Sequence, residues 1–111
     1  MKRYKVIVTP EAEFSIRESF LYIFARSPLN AERWIRSLYA EIDTLETFPE
    51  RCAFALEREY LEMDLRQLLF MSHRLVFSVD KASSTVWVHE VRHAKRRALG
   101  EAVPEDETEE P

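Results

Sequence analysis

Two stretches of helical periodicity stand back to back in this sequence with only Ser27-Pro28 between them. Apolar residues recur at Ala12, Ile16, Phe20 and Ile23, with Phe14, Leu21 and Phe24 widening the stripe. They recur again at Ala31, Trp34, Ile35, Leu38, Ile42 and Leu45. Spacings of three and four residues put each set on one side of a helix. A break this short leaves the second helix no course except back alongside the first, so the pair is predicted to be an antiparallel hairpin. Thr9 suits the N-cap of the first helix, with Pro10 in its first turn and Glu11 and Glu13 near the positive end of the helix dipole. Phe48-Pro49 closes the second helix near residue 46.

The flanking segments have the other period. Tyr4-Lys5-Val6-Ile7-Val8 is short and β-branched and reads as a first strand. After a mixed, charged stretch over residues 50–64, read as a loop that becomes a strand near its end, three strands follow at 65–70, 75–79 and 85–91. Their short connections, Met71-Ser72-His73 and residues 80–84, imply an antiparallel meander. The order β-α-α-β-β-β predicts an α+β fold of two layers, a helical hairpin closing over one face of a four-stranded sheet. The other face and one cationic end of the sheet are expected to stay open to partners.

With 111 residues, 46% of them hydrophobic, the chain is expected to form one domain over residues 1–100. Of the 20 acids, six lie in residues 101–111 with no balancing base, and this segment, rich in acids and prolines, is expected to be disordered. Residues 1–100 then carry 16 bases against 14 acids. That mild excess argues against avid, nonspecific nucleic-acid binding, in which each neutralised phosphate needs its own Lys or Arg. The lone Cys52 allows no internal disulfide and reads as a small apolar residue of a reducing compartment. No apolar run approaches the roughly 20 residues of a membrane helix, and Met1-Lys2-Arg3-Tyr4-Lys5 leads into no signal-peptide core. A cytoplasmic protein without cofactors is expected.

Chemistry-bearing residues are few. His89 and His93 have the i, i+4 spacing of helical metal ligands but fall on a strand and its exit, so no metal site is expected. Glu57, Glu59, Glu62 and Asp64 offer carboxylates for general-base work, although a solvated charged loop is the commoner reading of such a cluster. Arg66 and Arg74 lie on neighbouring strands and Arg92 leads into the cluster Arg92-His93-Ala94-Lys95-Arg96-Arg97, which suggests an electropositive end of the sheet. Trp34, Phe20 and Phe24 are expected in the core. Tyr22 and Tyr39 can point outward from the hairpin, and Trp87, if it lies on the open sheet face, makes that face sticky.

Taken in order, these segments resemble the RelE/ParE superfamily of toxins from type II toxin–antitoxin systems, in particular its ParE or plasmid stabilisation branch. The resemblance spans residues 4–97. It is carried by the run from Tyr4 to Glu13, by Ser27-Pro28 with Ala31-Glu32-Arg33-Trp34, and by Leu45 through Phe48-Pro49-Glu50-Arg51. Leu65-Arg66-Gln67-Leu68-Leu69, His73-Arg74-Leu75-Val76-Phe77 and Val88-His89-Glu90-Val91-Arg92-His93-Ala94-Lys95-Arg96 complete it.

The resemblance implies a growth-inhibiting toxin neutralised by a cognate antitoxin, which alone would contact operator DNA. Two targets are implied. ParE-like members poison DNA gyrase without cleavage chemistry of their own; RelE-like members are metal-independent endoribonucleases that cut messenger RNA on the ribosome. In the nuclease, Arg74 would match the catalytic strand arginine that stabilises phosphorane charge. Lys95 and Ala94, however, stand where one nuclease branch has tyrosine and histidine. The expectation is therefore a noncatalytic gyrase poison, with the ribosome-dependent nuclease and a degenerate, non-toxic binding member as alternatives. Arg66, Arg92, His93, Lys95, Arg96 and Arg97 are the expected target-facing set. Tyr22, Tyr39, Leu65 and Leu69 are the expected antitoxin-binding set.

Overall fold

A computed structural model describes residues 3–55 and 63–93. Strand β1 (Lys5–Val8) leads into helix α1 (Pro10–Arg26), then α2 (Pro28–Asp43). Two single 3-10 turns, Thr44–Glu46 and Pro49–Arg51, precede β2 (Ala53–Phe54), and β3 (Leu65–Phe70), β4 (His73–Asp80) and β5 (Thr85–His93) follow. The α+β order predicted from periodicity is observed, with the short strand β2 inserted before the meander.

Side chains set the helix ends as expected. The Thr9 hydroxyl accepts from the Ala12 amide at 3.1 Å and donates to the Val88 carbonyl at 2.8 Å, so one residue starts α1 and ties it to β5. Ser27 ends α1 by donating its amide to Ile23 and starts α2 by accepting from Asn30 at 3.2 Å. Pro28 then supplies a first helical turn that needs no amide donor.

The described strands form one sheet in the order β1-β5-β4-β3-β2. β5, β4, β3 and β2 pair antiparallel, while β1 lies parallel to β5, with Val8 opposite Val88. This adds a strand to the four expected. Ala53 and Phe54 look like loop in isolation and become a strand only because Gln67 and Arg66 lie opposite them.

Alternation sorts the sheet into two faces. Towards the helices, Leu75, Phe77, Val86, Val88 and Val91 pack with Ala12, Ile16, Trp34, Leu38, Ile42 and Leu45 in one apolar core. The opposite face is not the open surface expected from sequence. Ala55, Leu65 and Val76 form a second small apolar cluster there, and Arg74 and Ser78 are each only 5% exposed. Polar side chains on this face bond across the strands, Arg74 to Gln67 and Ser78 to His89. A β-bulge between Val76 and Phe77 on the pairing with β5 carries the register from Glu90 to Val88 and leaves His89 as the extra residue.

The helix α1 also departs from expectation. Phe14, Leu21 and Phe24 do not broaden the core stripe but stand 60%, 57% and 46% exposed, Phe24 meeting Phe20 at 5.8 Å on the surface side. α1 is apolar on two sides and only the Ala12, Ile16, Ile23 side faces the sheet. No described helix is long and apolar enough to cross a membrane.

Candidate functional site

Of the residues singled out from sequence, Arg74, Arg92, His93 and Leu69 meet where β3 turns into β4 and β5 ends. The tight connection is possible because Met71 takes a left-handed backbone conformation, φ 53°. Registry then fixes what meets what. On the face away from the helices, Leu69, Arg74 and Arg92 form one cross-strand row, and Gln67, Val76 and Glu90 form the next. Like charges directly opposite repel, and here Arg74 faces Arg92. Neighbours moderate this: Arg74 Nη1 donates to Gln67 Oε1 at 3.0 Å, and Arg92 Nε lies 3.5 Å from Glu90 Oε1. Both guanidinium groups are drawn into the sheet, the Arg92 side chain being 10% exposed.

Further along this face the bulge aims His89 back over β4, so that its Nε2 and the Ser78 Oγ are 2.8 Å apart. Burial holds the His89 imidazole below its ordinary pKa, against the opposing pull of Glu11, so neutral imidazole is the favoured form. The sequence places His89 on a strand but does not point to this pairing with Ser78. A bulge leaves no residue signature here, so nothing in the local sequence marked it. Trp87, opposite Ser78, is 38% exposed on the same face.

The helix-facing side of this end is aromatic. His73 sits opposite both Phe70 and His93; its ring lies 5.5 Å from that of His93 and 5.0 Å from Trp34, which in turn meets Phe70 at 6.3 Å. Trp34, expected in the core, is there, but its buried indole N–H has no hydrogen-bond acceptor among the described residues.

Arg66 does not join Arg74. It points to the helix side, where its Nη1 donates to the carbonyls of Glu50 and Cys52 at 2.9 and 2.8 Å and its Nε to Asp64 at 2.9 Å. Its guanidinium also lies over the Phe54 ring, 4.4 Å from the centroid. Arg66 thus braces the 50–55 segment from the helix side of the sheet. The backbone it supports is strained, since Phe48 takes a left-handed conformation, φ 46°. Arg51 clamps that turn with bonds to the Thr47 and Phe48 carbonyls at 2.9 and 3.1 Å. Glu50 accepts from the Tyr4 hydroxyl at 2.7 Å, which lowers the Glu50 pKa and raises that of Tyr4.

The expected antitoxin-binding residues separate. Leu69 is 64% exposed on β3. Leu65 is 1% exposed and belongs to the second apolar cluster, because its neighbours Ala55 and Val76 cover it; it is a core residue. Tyr39 is 40% exposed, and its hydroxyl pKa is raised first by burial and then by Glu13. Tyr22 lies under the Arg26 guanidinium, 3.9 Å from the ring centroid. Cys52 is buried, and burial pushes its thiol pKa up. Among the described residues no group of three or more His, Cys, Asp or Glu side chains could hold a metal. Glu57, Glu59 and Glu62, together with Ala94, Lys95, Arg96, Arg97 and the acidic segment 101–111, lie outside the described residues.

Comparison with known proteins agrees with this architecture. A chain of the RelBE2 toxin–antitoxin complex from Mycobacterium tuberculosis is similar over 84% of this chain and 93% of its own, at 20% identity and a TM-score of 0.59. A chain of the chromosomal ParDE system of P. aeruginosa aligns over 84% of this chain and 98% of its own, at 10% identity and a TM-score of 0.68. A chain of the archaeal RelE–RelB complex from Pyrococcus horikoshii OT3 aligns over 87% and 100%, at 16% identity and a TM-score of 0.50. No curated relative matches the sequence. At these identities the likeness is one of fold. The family model for the ParE toxin of the type II toxin–antitoxin system parDE, however, matches residues 6–98, from β1 through the end of the sheet. With that match covering most of its length, the chain belongs to the ParE toxin family.

Proposed function

We propose that this protein is the toxin of a type II toxin–antitoxin pair, that it stops growth by docking on DNA gyrase, and that a cognate antitoxin neutralises it. The observation that carries the target is the disposition of the sheet arginines. A phosphodiester-cleaving site must turn cations towards its substrate to meet the charge that develops in the transition state. Here Arg74 is 5% exposed and bonded to Gln67, Arg92 lies against Glu90, and Arg66 braces backbone carbonyls. The cations needed for cleavage are committed to the sheet itself. The near-neutral charge of residues 1–100 favours the same reading, since recognition of ribosomal RNA relies on phosphate contacts.

In this reading the target-facing surface is the exit of β5 and the bases beyond it: His93, Lys95, Arg96 and Arg97. The antitoxin takes the exposed Leu69 of β3 with Tyr22 and Tyr39 on the hairpin. Solved structures similar in fold come from toxin–antitoxin complexes, which supports a partner of this class.

The test is expression of the chain with and without the product of its neighbouring reading frame. Alone, it should filament cells and leave gyrase-linked DNA breaks while translation continues; with that product, growth should resume. Codon-associated cuts in messenger RNA that vanish in Arg74→Ala would establish the ribosome-dependent nuclease instead, and unimpaired growth would establish a non-toxic binding member.

A further inference from the structure

The outer side of α1 carries a sequence order that is complementary to itself. Pro10, Phe14, Arg17, Glu18, Leu21 and Ala25 are all exposed. At 100° per residue they fall within an arc of about 100° on the side away from the sheet. Read from either end, the stripe runs small, large apolar, charged, charged, large apolar, small. Phe14 and Leu21 are 60% and 57% exposed, which leaves two large apolar side chains in water on either side of one Arg-Glu step. Neither Arg17 nor Glu18 makes an ion pair or side-chain hydrogen bond with the described residues.

We infer that this face is a self-association surface, on which α1 of a second copy docks antiparallel across a two-fold axis passing between Arg17 and Glu18. Under that symmetry each residue meets the one equally far from the axis. Arg17 faces Glu18 of the second copy and Glu18 faces its Arg17, giving two ion pairs at the centre. Phe14 packs on Leu21 of the second copy, twice, and Pro10 meets Ala25 at both ends, where small side chains let the backbones approach. The flanks agree: the first turn with Glu11 and Glu13 comes beside the last turn with Arg26. The antiparallel arrangement also sets opposite dipole ends together. An unrelated apolar helix would cover Phe14 and Leu21, but it has no reason to supply a Glu-Arg step in the matching order. A second copy supplies it by symmetry.

A single helix pair is smaller than the standard protein interface, so the dimer is weak and forms only as concentration rises. Sedimentation equilibrium of the full chain should show the average mass rising from 13.2 kDa towards twice that value with concentration, less steeply at high salt. Arg17→Glu and Glu18→Arg, each alone, place like charges opposite one another and should weaken self-association about tenfold or more. Mixing these two variants should restore association, as should the double variant Arg17→Glu/Glu18→Arg. Circular dichroism checks that each variant stays folded. A chain that stays monomeric at all concentrations, or a dimer indifferent to the swaps or not rescued by mixing, overturns the inference. So does a result in which the swaps impair only binding of the neighbouring-frame product, which would assign this face to the antitoxin.

Discussion

The two faces of the sheet are built on different principles. On the helix side, Phe77, Leu75, Val86 and Val88 are fully buried with Leu38, Ile42 and Leu45, and removal of apolar surface from water holds the layers together. On the other face Leu69 and Trp87 stay exposed while Arg74, Ser78 and Val76 are buried, and polar groups meet in pairs: Arg74 with Gln67, Ser78 with His89, Arg92 with Glu90. Apolar packing tolerates many partners of similar size, whereas each polar pair demands one partner in one geometry. The helix side should therefore dominate stability, and the opposite face should dominate specificity and pH response.

The comparison breaks first at Phe77. Phe77→Ala should cost about 3–5 kcal/mol in chemical denaturation, because the two layers clamp the cavity it leaves. If the loss is under about 1 kcal/mol, the helices do not close on the sheet as described. Arg66→Met tests the charged strut beside that core. It keeps much of the stem but abandons the Glu50 and Cys52 carbonyls, and should cost about 2 kcal/mol. An unchanged midpoint would mean that water replaces the guanidinium freely.

On the polar face, Ser78→Ala should cost roughly 1 kcal/mol, and pH sharpens the contrast. His89 is held below its ordinary value of 6.5, so the folded state binds this proton less readily than the unfolded chain. Its contribution is complete above pH 6.5 and is lost as the pH falls through the folded-state pKa. Denaturation midpoints across that range should decline more in the parent than in His89→Gln, and equal slopes would remove His89 from the account. Least disturbed should be Leu69→Ser, within about 0.5 kcal/mol of parent stability because the side chain is exposed, while antitoxin binding weakens measurably in titration calorimetry.

Legibility in the sequence followed the same division. Thr9-Pro10 and Ser27-Pro28 act on neighbours three or four residues away, so the caps and the hairpin could be read directly. β3, β4 and β5 were visible because β-branched and aromatic runs stood between short turns. β2 was hidden, since Ala53 and Phe54 gain strand character only from residues opposite them on β3. Phe14, Leu21 and Phe24 misled because α1 is apolar on two sides, and periodicity cannot say which of two stripes meets the sheet. The sheet arginines stand out in the sequence, but their contacts depend on Gln67, Glu90 and the Glu50 and Cys52 carbonyls. Leu65 was misassigned for the same reason: its cover comes from Ala55 and Val76.

The proposed gyrase poison would act through its surface rather than by breaking bonds. The most direct measurement places the purified chain with DNA gyrase and supercoiled plasmid, and in parallel with translating ribosomes, following DNA and messenger RNA integrity over time. The account predicts protein-linked, gyrase-dependent DNA breaks and intact message. Intact DNA with messenger RNA cut on the ribosome would contradict it.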